Sequence, residues 1–206
     1  MARAAAVKAV SGEMSDASDR MGQILSESAR LFATKGYDGT SMRDIAEACG
    51  ISKSLLYHHF TDKDEIYARI ALGSTQRLFE FVEERLPEGG TPPERVRAFM
   101  TATGDYFQRY RSNWIASTAA FWSDPELRRH KERMMWRDRY EGLIRRLIQD
   151  AINSGDFRPV DVPLTGRLVL SSLNWMHRWY RPEKGLTPAQ IADSYYDLIF
   201  NGLKAE

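Results

Sequence analysis

This chain predicts an all-α fold of about nine helices, and three observations carry that expectation. All eight prolines fall after Leu86, at Pro87, Pro92, Pro93, Pro125, Pro159, Pro163, Pro182 and Pro188. Proline fixes φ and lacks an N–H, so it sits at helix starts or just past helix ends. The intervals between these prolines are helix-sized and carry apolar residues at spacings of three and four, the period of one helix face. Alternating apolar and polar runs rich in β-branched residues, the mark of a half-buried strand, are nearly absent.

The elements follow in order. Residues 1–19 are small and polar and read as a flexible arm, which either stays solvated or reaches into a DNA minor groove. The first helix runs from about Arg20 to Lys35, with Ile24, Leu25, Ser28, Leu31 and Phe32 on one face and Gly36 as its cap. The second starts at Thr40 or Ser41. Ser41 followed by Asp44 resembles a capping box, and Met42, Ile45, Ala46 and Cys49 form the inner face before Gly50 closes it. Ser52 caps a very short third helix, in which Leu56, with Phe60 just beyond, points inward. Asp62 with Glu65 opens a fourth that can run to Leu86. The fifth is expected at about Pro93–Tyr110, the sixth at Asn113–Trp122, the seventh at Pro125–Asn153, the eighth at about Pro163–Tyr180 and the ninth at Pro188–Gly202.

Composition excludes several classes. Of 206 residues 43% are hydrophobic and 28% charged, which is globular and not disordered. Lys plus Arg is 29 against 28 Asp plus Glu, so a strongly basic tail is excluded and a small basic face is not. A single cysteine, Cys49, permits no internal disulfide and no cysteine metal cage. It points to a reducing, cytoplasmic setting; beside a turn it is a small apolar filler or a redox switch. No run reaches the ~18 apolar residues of a membrane span, so no membrane partner is expected, and Lys8 interrupts any signal-peptide core. His58 and His59 are adjacent, and neighbours on a helix point about 100° apart, so they do not share one metal ion; no metal site and no cofactor are expected. No Gly-rich phosphate loop, H-E-x-x-H or nucleophile elbow is present, which argues against an enzyme.

Two short helices joined by a tight Gly-containing turn form a helix-turn-helix, whose second helix can enter the major groove of DNA. Thr40, Ser41, Ser52 and Lys63 lie at helix starts, where free N–H groups attract phosphate. Lys53, Ser54, Leu55 and Tyr57 can point outward and offer a cation, a hydroxyl and an apolar tip to base edges and backbone. Residues 20–70 carry seven basic and seven acidic residues, so affinity must come from the placement of Arg43, Lys53 and Lys63, and dimerisation is implied.

The stretch Ile24 to Ile70, "ILSESARLFATKGYDGTSMRDIAEACGISKSLLYHHFTDKDEIYARI", resembles the amino-terminal domain of tetracycline-repressor (TetR) family regulators. Leu55 stands where that family often has Ser or Thr, and Ser54 where Gly is frequent. The resemblance implies a DNA-binding domain over 20–70 with Thr40, Ser41, Arg43, Ser52, Lys53, Ser54, Leu55, Tyr57, His58 and Lys63 at the DNA face. It also implies an effector-binding and dimerisation domain over 71–206. For each residue the alternative is solvent exposure or local packing, and for His59 half-buried packing is expected.

All five tryptophans lie beyond residue 110, an excess that suits an apolar pocket between helices as well as core or interface packing. The candidate ligand-binding residues are Phe107, Tyr110, Phe121, Trp122, Trp136, Arg137, Tyr140, Ser171, Asn174 and Trp175. On the seventh helix Trp136, Tyr140, Leu143, Leu147 and Ala151 form an inner stripe. Arg129, Arg133 and Arg137 form a second, which is either a solvated face or an anion-binding wall. Mid-helix Asn174 either orients a ligand or satisfies a buried backbone group. The run Gly155 to Leu203, with "WYRP" at Trp179–Pro182, resembles the effector domain of a TetR subgroup of repressors of fatty-acid, phenylacetate or steroid breakdown that respond to acyl-CoA thioesters. The resemblance implies a homodimer through the last two helices, for which Leu168, Ala192, Tyr195, Leu198, Ile199 and Leu203 have suitable spacing. The expected function is a ligand-responsive repressor on a near-palindromic double-stranded operator, released by a small-molecule effector such as an acyl-CoA. The alternatives are an effector-independent architectural DNA-binding protein and a helical enzyme.

Overall fold

Side-chain caps set the element boundaries in this computed structural model, which describes residues 20–202 apart from 124–125 and 127–129, and leaves the side chains of 121–123 and 184 undescribed. Helix α1 spans 20–35 and ends at Gly36, whose φ of 77° lies in the left-handed region that glycine enters without a Cβ penalty. Helix α2 (Met42–Ala48) opens with a full capping box. Ser41 Oγ accepts from the Asp44 amide and the Asp44 carboxylate accepts from the Ser41 amide. Helix α3 (Lys53–His59) starts at Ser52, whose Oγ accepts from the Leu55 amide at 3.1 Å. Asp62 likewise caps α4 (Lys63–Glu83). Then come α5 (Pro92–Arg109), α6 (Arg111–Ser123), α7 (Lys131–Asn153), α8 (Val162–Trp179), a 3-10 turn at Pro182–Lys184 and α9 (Pro188–Phe200). Thr91 with Glu94 and Thr187 with Gln190 form capping boxes at α5 and α9. The described residues are thus all-α, with no strand among them.

Several boundaries differ from the sequence expectation. Helix α4 stops at Glu83 and residues 84–86 turn, because Pro87 disfavours a helical Leu86 before it. Only Tyr110 separates α5 from α6, at φ −120° and ψ 35°, so α6 begins before Asn113. The long seventh helix does not run unbroken from Pro125. His130 lies outside the helical region at φ −59° and ψ 126°, and α7 begins after it, while Pro125 lies outside the described residues. Helix α8 starts at Val162 because Asp161 caps the Leu164 amide. Helix α9 ends at Phe200, short of Gly202.

Two hydrophobic cores result. The first gathers Ile24, Leu31 and Phe32 of α1, Ile45 of α2, Leu56 and Phe60 at α3, and Ile66, Tyr67 and Ile70 of α4, and is completed by Ala116 and Ala120 of α6. The second gathers Leu78, Phe79 and Val82 of α4 with the inner faces of α5, α7, α8 and α9. One continuous rod, α4, therefore belongs to both cores, and α6 lies beside it. Helix α9 packs closely on α5. At Gly104 a Cβ would lie 2.5 Å from the Pro188 carbonyl oxygen, so only glycine permits that approach.

Candidate functional site

The face of α3 is built by what anchors it. Leu56 is fully buried and Phe60 nearly so, which turns Lys53, Ser54, Leu55, Tyr57 and His58 to solvent. Tyr57 keeps 47% of its surface exposed, and the Lys53 ammonium lies 5.7 Å from its ring centroid. A cation, a hydroxyl and an aromatic tip thus project together from one exposed helix. Ser41 and Ser52 are exposed at the starts of α2 and α3, each occupied in capping. Arg43 is exposed on α2 and paired with Glu47 one turn on, at 2.8 Å.

Two residues expected on this face do other work. Thr40 is 2% exposed, and its hydroxyl donates to the Gly36 carbonyl at 2.8 Å, so its side chain closes the α1–α2 loop. The half-buried Lys63 ammonium donates to the Tyr37 and Thr40 carbonyls at 2.8 and 2.9 Å and sits 4.0 Å from the Tyr37 ring centroid. It fastens the same loop to α4. Tyr37 also bonds Asp64; burial first, then that carboxylate, pushes its phenol well above the usual range. His59 is half-buried, ring to ring with His58 and Phe60. Cys49 is buried and burial raises its thiol pKa, which suits a filler and not a reactive thiolate.

The candidate effector residues divide into two places. Phe107 and Tyr140 are buried in the second core. Phe107 meets Trp114 and Tyr180 edge-on at 5.5 and 5.8 Å. Tyr140 stacks on Phe99 at 4.9 Å, with its hydroxyl 2.6 Å from Thr103 Oγ1, and burial pushes its phenol upward. Half-buried Tyr110 and Trp136 border the same core, against Tyr106 and Phe79. Arg137, Ser171, Asn174 and Trp175 are not brought to this core. Arg137 is exposed and paired with Asp138, and the other three lie on the outer face of α8, Trp175 with 60% of its surface exposed. The Asn174 side chain is therefore exposed, and satisfies no buried backbone group among the described residues. Phe121 and Trp122 belong to α6, but their side chains lie outside the described residues.

The arginine stripe does not form one face. Arg133 is 7% exposed; its guanidinium donates to the Ser117 carbonyl at 2.9 Å, and burial lowers its pKa. Ser117 Oγ in turn reaches the Ala71 carbonyl at 3.5 Å. This link joins α7, α6 and α4 at the boundary between the two cores. Sequence periodicity could not reveal it, because it pairs residues far apart in the chain. Arg129 lies outside the described residues. Arg97 of α5 pairs with Asp193 and Asp197 of α9, another link without a local signal.

On the outer face of α8, Leu164, Leu168, Trp175 and Trp179 are exposed, as is Leu198 on α9. Tyr195 and Ile199 are half-buried. Ala192, expected among contacts to a second copy, is fully buried within the chain, because the close α5–α9 approach covers it. Leu203 lies outside the described residues. Among the described residues no three His, Cys, Asp or Glu side chains could hold a metal ion, and no helix is long and apolar enough to cross a membrane.

Comparison with known proteins matches both halves of the chain. Residues 24–70 match "Bacterial regulatory proteins, tetR family", and residues 89–203 match "Tetracyclin repressor-like, C-terminal domain". The TetR family transcriptional regulator PfmR from Thermus thermophilus has a similar structure, with a TM-score of 0.81 and 41% identity over 88% of this chain and 99% of that one. The transcriptional repressor KstR2 of Mycobacterium tuberculosis is 29% identical over 91% of this chain and 94% of its own length. AibR, solved in complex with isovaleryl coenzyme A and operator DNA, is 29% identical with a TM-score of 0.71, over 88% of this chain and 98% of that one.

Proposed function

Because this chain belongs to the tetracycline-repressor family of bacterial regulators, we propose that it is a ligand-responsive DNA-binding repressor that acts as a homodimer in the cytoplasm, and not an enzyme. Residues 20–70 form the DNA-reading head and 71–206 the effector and dimerisation body, while the arm expected at 1–19 lies outside the described residues. The single observation that carries this reading is the exposed α3 face, where Lys53, Ser54, Leu55, Tyr57 and His58 project from the buried Leu56 and Phe60. Lys53 and Arg43 supply phosphate or guanine contacts. Leu55 supplies an apolar tip for a thymine methyl. The Ser41 and Ser52 helix starts face the backbone. Thr40 and Lys63 hold the head's loop in shape.

Two heads must meet two half-sites roughly 34–36 Å apart or a multiple of that. The exposed apolar face of α8, with Leu198 of α9, supplies the surface on which two copies pair. The effector is an acyl-CoA thioester or another hydrophobic acid derivative, as the relative solved with isovaleryl coenzyme A and operator DNA supports. Its apolar part enters among Phe107, Tyr110, Trp136 and Tyr140; the side chains of Phe121 and Trp122, also expected there, lie outside the described residues. That entry displaces rings now in contact, and the rod shared by both cores, α4, carries the displacement to the head. Coupling of about 1–3 kcal/mol loosens DNA roughly 5- to 150-fold.

The test is selection of bound duplex from a random pool, followed by anisotropy titration of the selected operator and displacement with a panel of acyl-CoAs and free acids. A near-palindromic operator released by one class of acyl-CoA is the expected result. A chain that selects no duplex, or whose operator affinity no effector changes, overturns the head or the switch respectively.

A further inference from the structure

A cleft of about 450 Å³ opens between the middle of α1 and the α5–α6 junction, with no α3 residue in its lining and with Tyr110, at the border of the second core, in its wall. Its walls include Ser26, Glu27 and Arg30 on one side and Arg109, Arg111 and Asn113 on the other. Three arginines thus border one space whose walls hold a single carboxylate. Glu27 is already engaged by Arg30 Nε at 2.9 Å. Arg109 and Arg111 have no carboxylate partner among the described residues. Arg111 Nε is shut off from solvent with no hydrogen-bond acceptor among them, so it bears the desolvation cost of an N–H without its return.

We propose that this cleft binds a phosphate-bearing small anion, bridging α1 of the head to the α5–α6 corner of the body. The two arginines beyond the Arg30–Glu27 pair call for two negative charges, which a phosphate monoester or pyrophosphate carries and a simple carboxylic acid does not. Guanidinium forks match phosphate oxygens bidentately, and the hydroxyl of Ser26 and the amide of Asn113 add donors. The volume falls within the 300–1,000 Å³ range of small-molecule sites. The same chemistry has two sources, the nucleotide end of a CoA thioester or free inorganic pyrophosphate. Binding here needs no operator, and Tyr110 is the one wall residue the cleft shares with the proposed acyl pocket.

Calorimetric titration of the full chain without DNA tests the site, using adenosine 3′,5′-bisphosphate, pyrophosphate and sodium chloride at matched ionic strength. Saturable binding of one or both phosphates is expected, absent with chloride. Tighter binding of the bisphosphate assigns the nucleotide source, and tighter pyrophosphate assigns the free ion. The double variant Arg109→Gln, Arg111→Gln should weaken binding by about tenfold or more. Glu27→Gln removes the one negative charge of the cleft and should tighten it several-fold, a gain that misfolding cannot imitate. No saturable heat beyond chloride, or equal affinity in wild type and both variants, overturns the proposal.

Discussion

Tyr57 leaves 47% of its surface in water while the adjacent Leu56 leaves none, and the proposed reading of DNA by α3 rests on that contrast between neighbours. Because Tyr57 and Lys53 are exposed, truncating either should leave thermal stability within about 0.5 kcal/mol of wild type and act on DNA alone. Lys53→Ala should weaken every duplex similarly and reduce the slope of log affinity against log salt by about 1 if it holds phosphate; an unchanged slope and affinity would remove Lys53 from the interface. Lys63→Met should instead lower thermal stability, since its ammonium holds two loop carbonyls. Asp44 is a pH-sensitive cap. Hydrogen bonds from Ser41, and then Lys35, hold its carboxyl well below the usual carboxylate range. A folded value below the unfolded one means that the stabilisation is complete above about pH 4 and fades as pH falls through the folded value. Urea unfolding of wild type and Asp44→Ala should therefore differ most near pH 7 and converge in strong acid; a gap that widens on acidification contradicts this.

At the scale of elements, two helix contacts can be weighed by magnitude. Alanine in a helix interior is favoured over glycine by ~1 kcal/mol, yet at Gly104 a Cβ would meet Pro188 and Ala189 backbone atoms at 2.5 to 2.8 Å. Backbone cannot yield as a flexible side chain does, and overpacking costs about 1–3 kcal/mol, occasionally more. The clash outweighs propensity, so Gly104→Ala should lower stability by about 2 kcal/mol and loosen α9; a stabilised variant would show that α5 and α9 are not in close contact. The Tyr140 hydroxyl meets Thr103, whose own hydroxyl also donates to the Phe99 carbonyl at 2.8 Å. Tyr140→Phe should cost only about 1 kcal/mol, because Thr103 keeps its second partner. Both changes are read in thermal melts.

For the whole molecule, a net charge of +1 gives no general attraction to DNA, so in the proposed dimer affinity depends on two correctly spaced heads. The exposed apolar row of α8 is the surface on which the proposed dimer rests. Trp175→Glu, placing a charge where an apolar contact is expected, should convert the dimer to monomer in sedimentation equilibrium. Operator affinity should fall by at least about tenfold, although α3 is untouched. A variant that remains dimeric would move the interface elsewhere.

Residues within about four positions of one another determined the helices. Ser41 with Asp44, Thr91 with Glu94 and Thr187 with Gln190 are local pairs, and the inward faces of α1, α2 and α3 follow from the period of one helix, so caps, class and the exposed side of α3 were legible in the sequence alone. The roles of Thr40, Lys63, Arg133 and Ala192 were not. Lys63 acts on Tyr37 and Thr40, 26 and 23 residues away, Arg133 on Ser117, 16 away, and Ala192 is covered by an α5 brought close by Gly104. Periodicity tells which side of a helix is apolar. It does not tell which neighbour covers that side, and the outward Trp175 and buried Tyr140 look alike until the helices are placed in space.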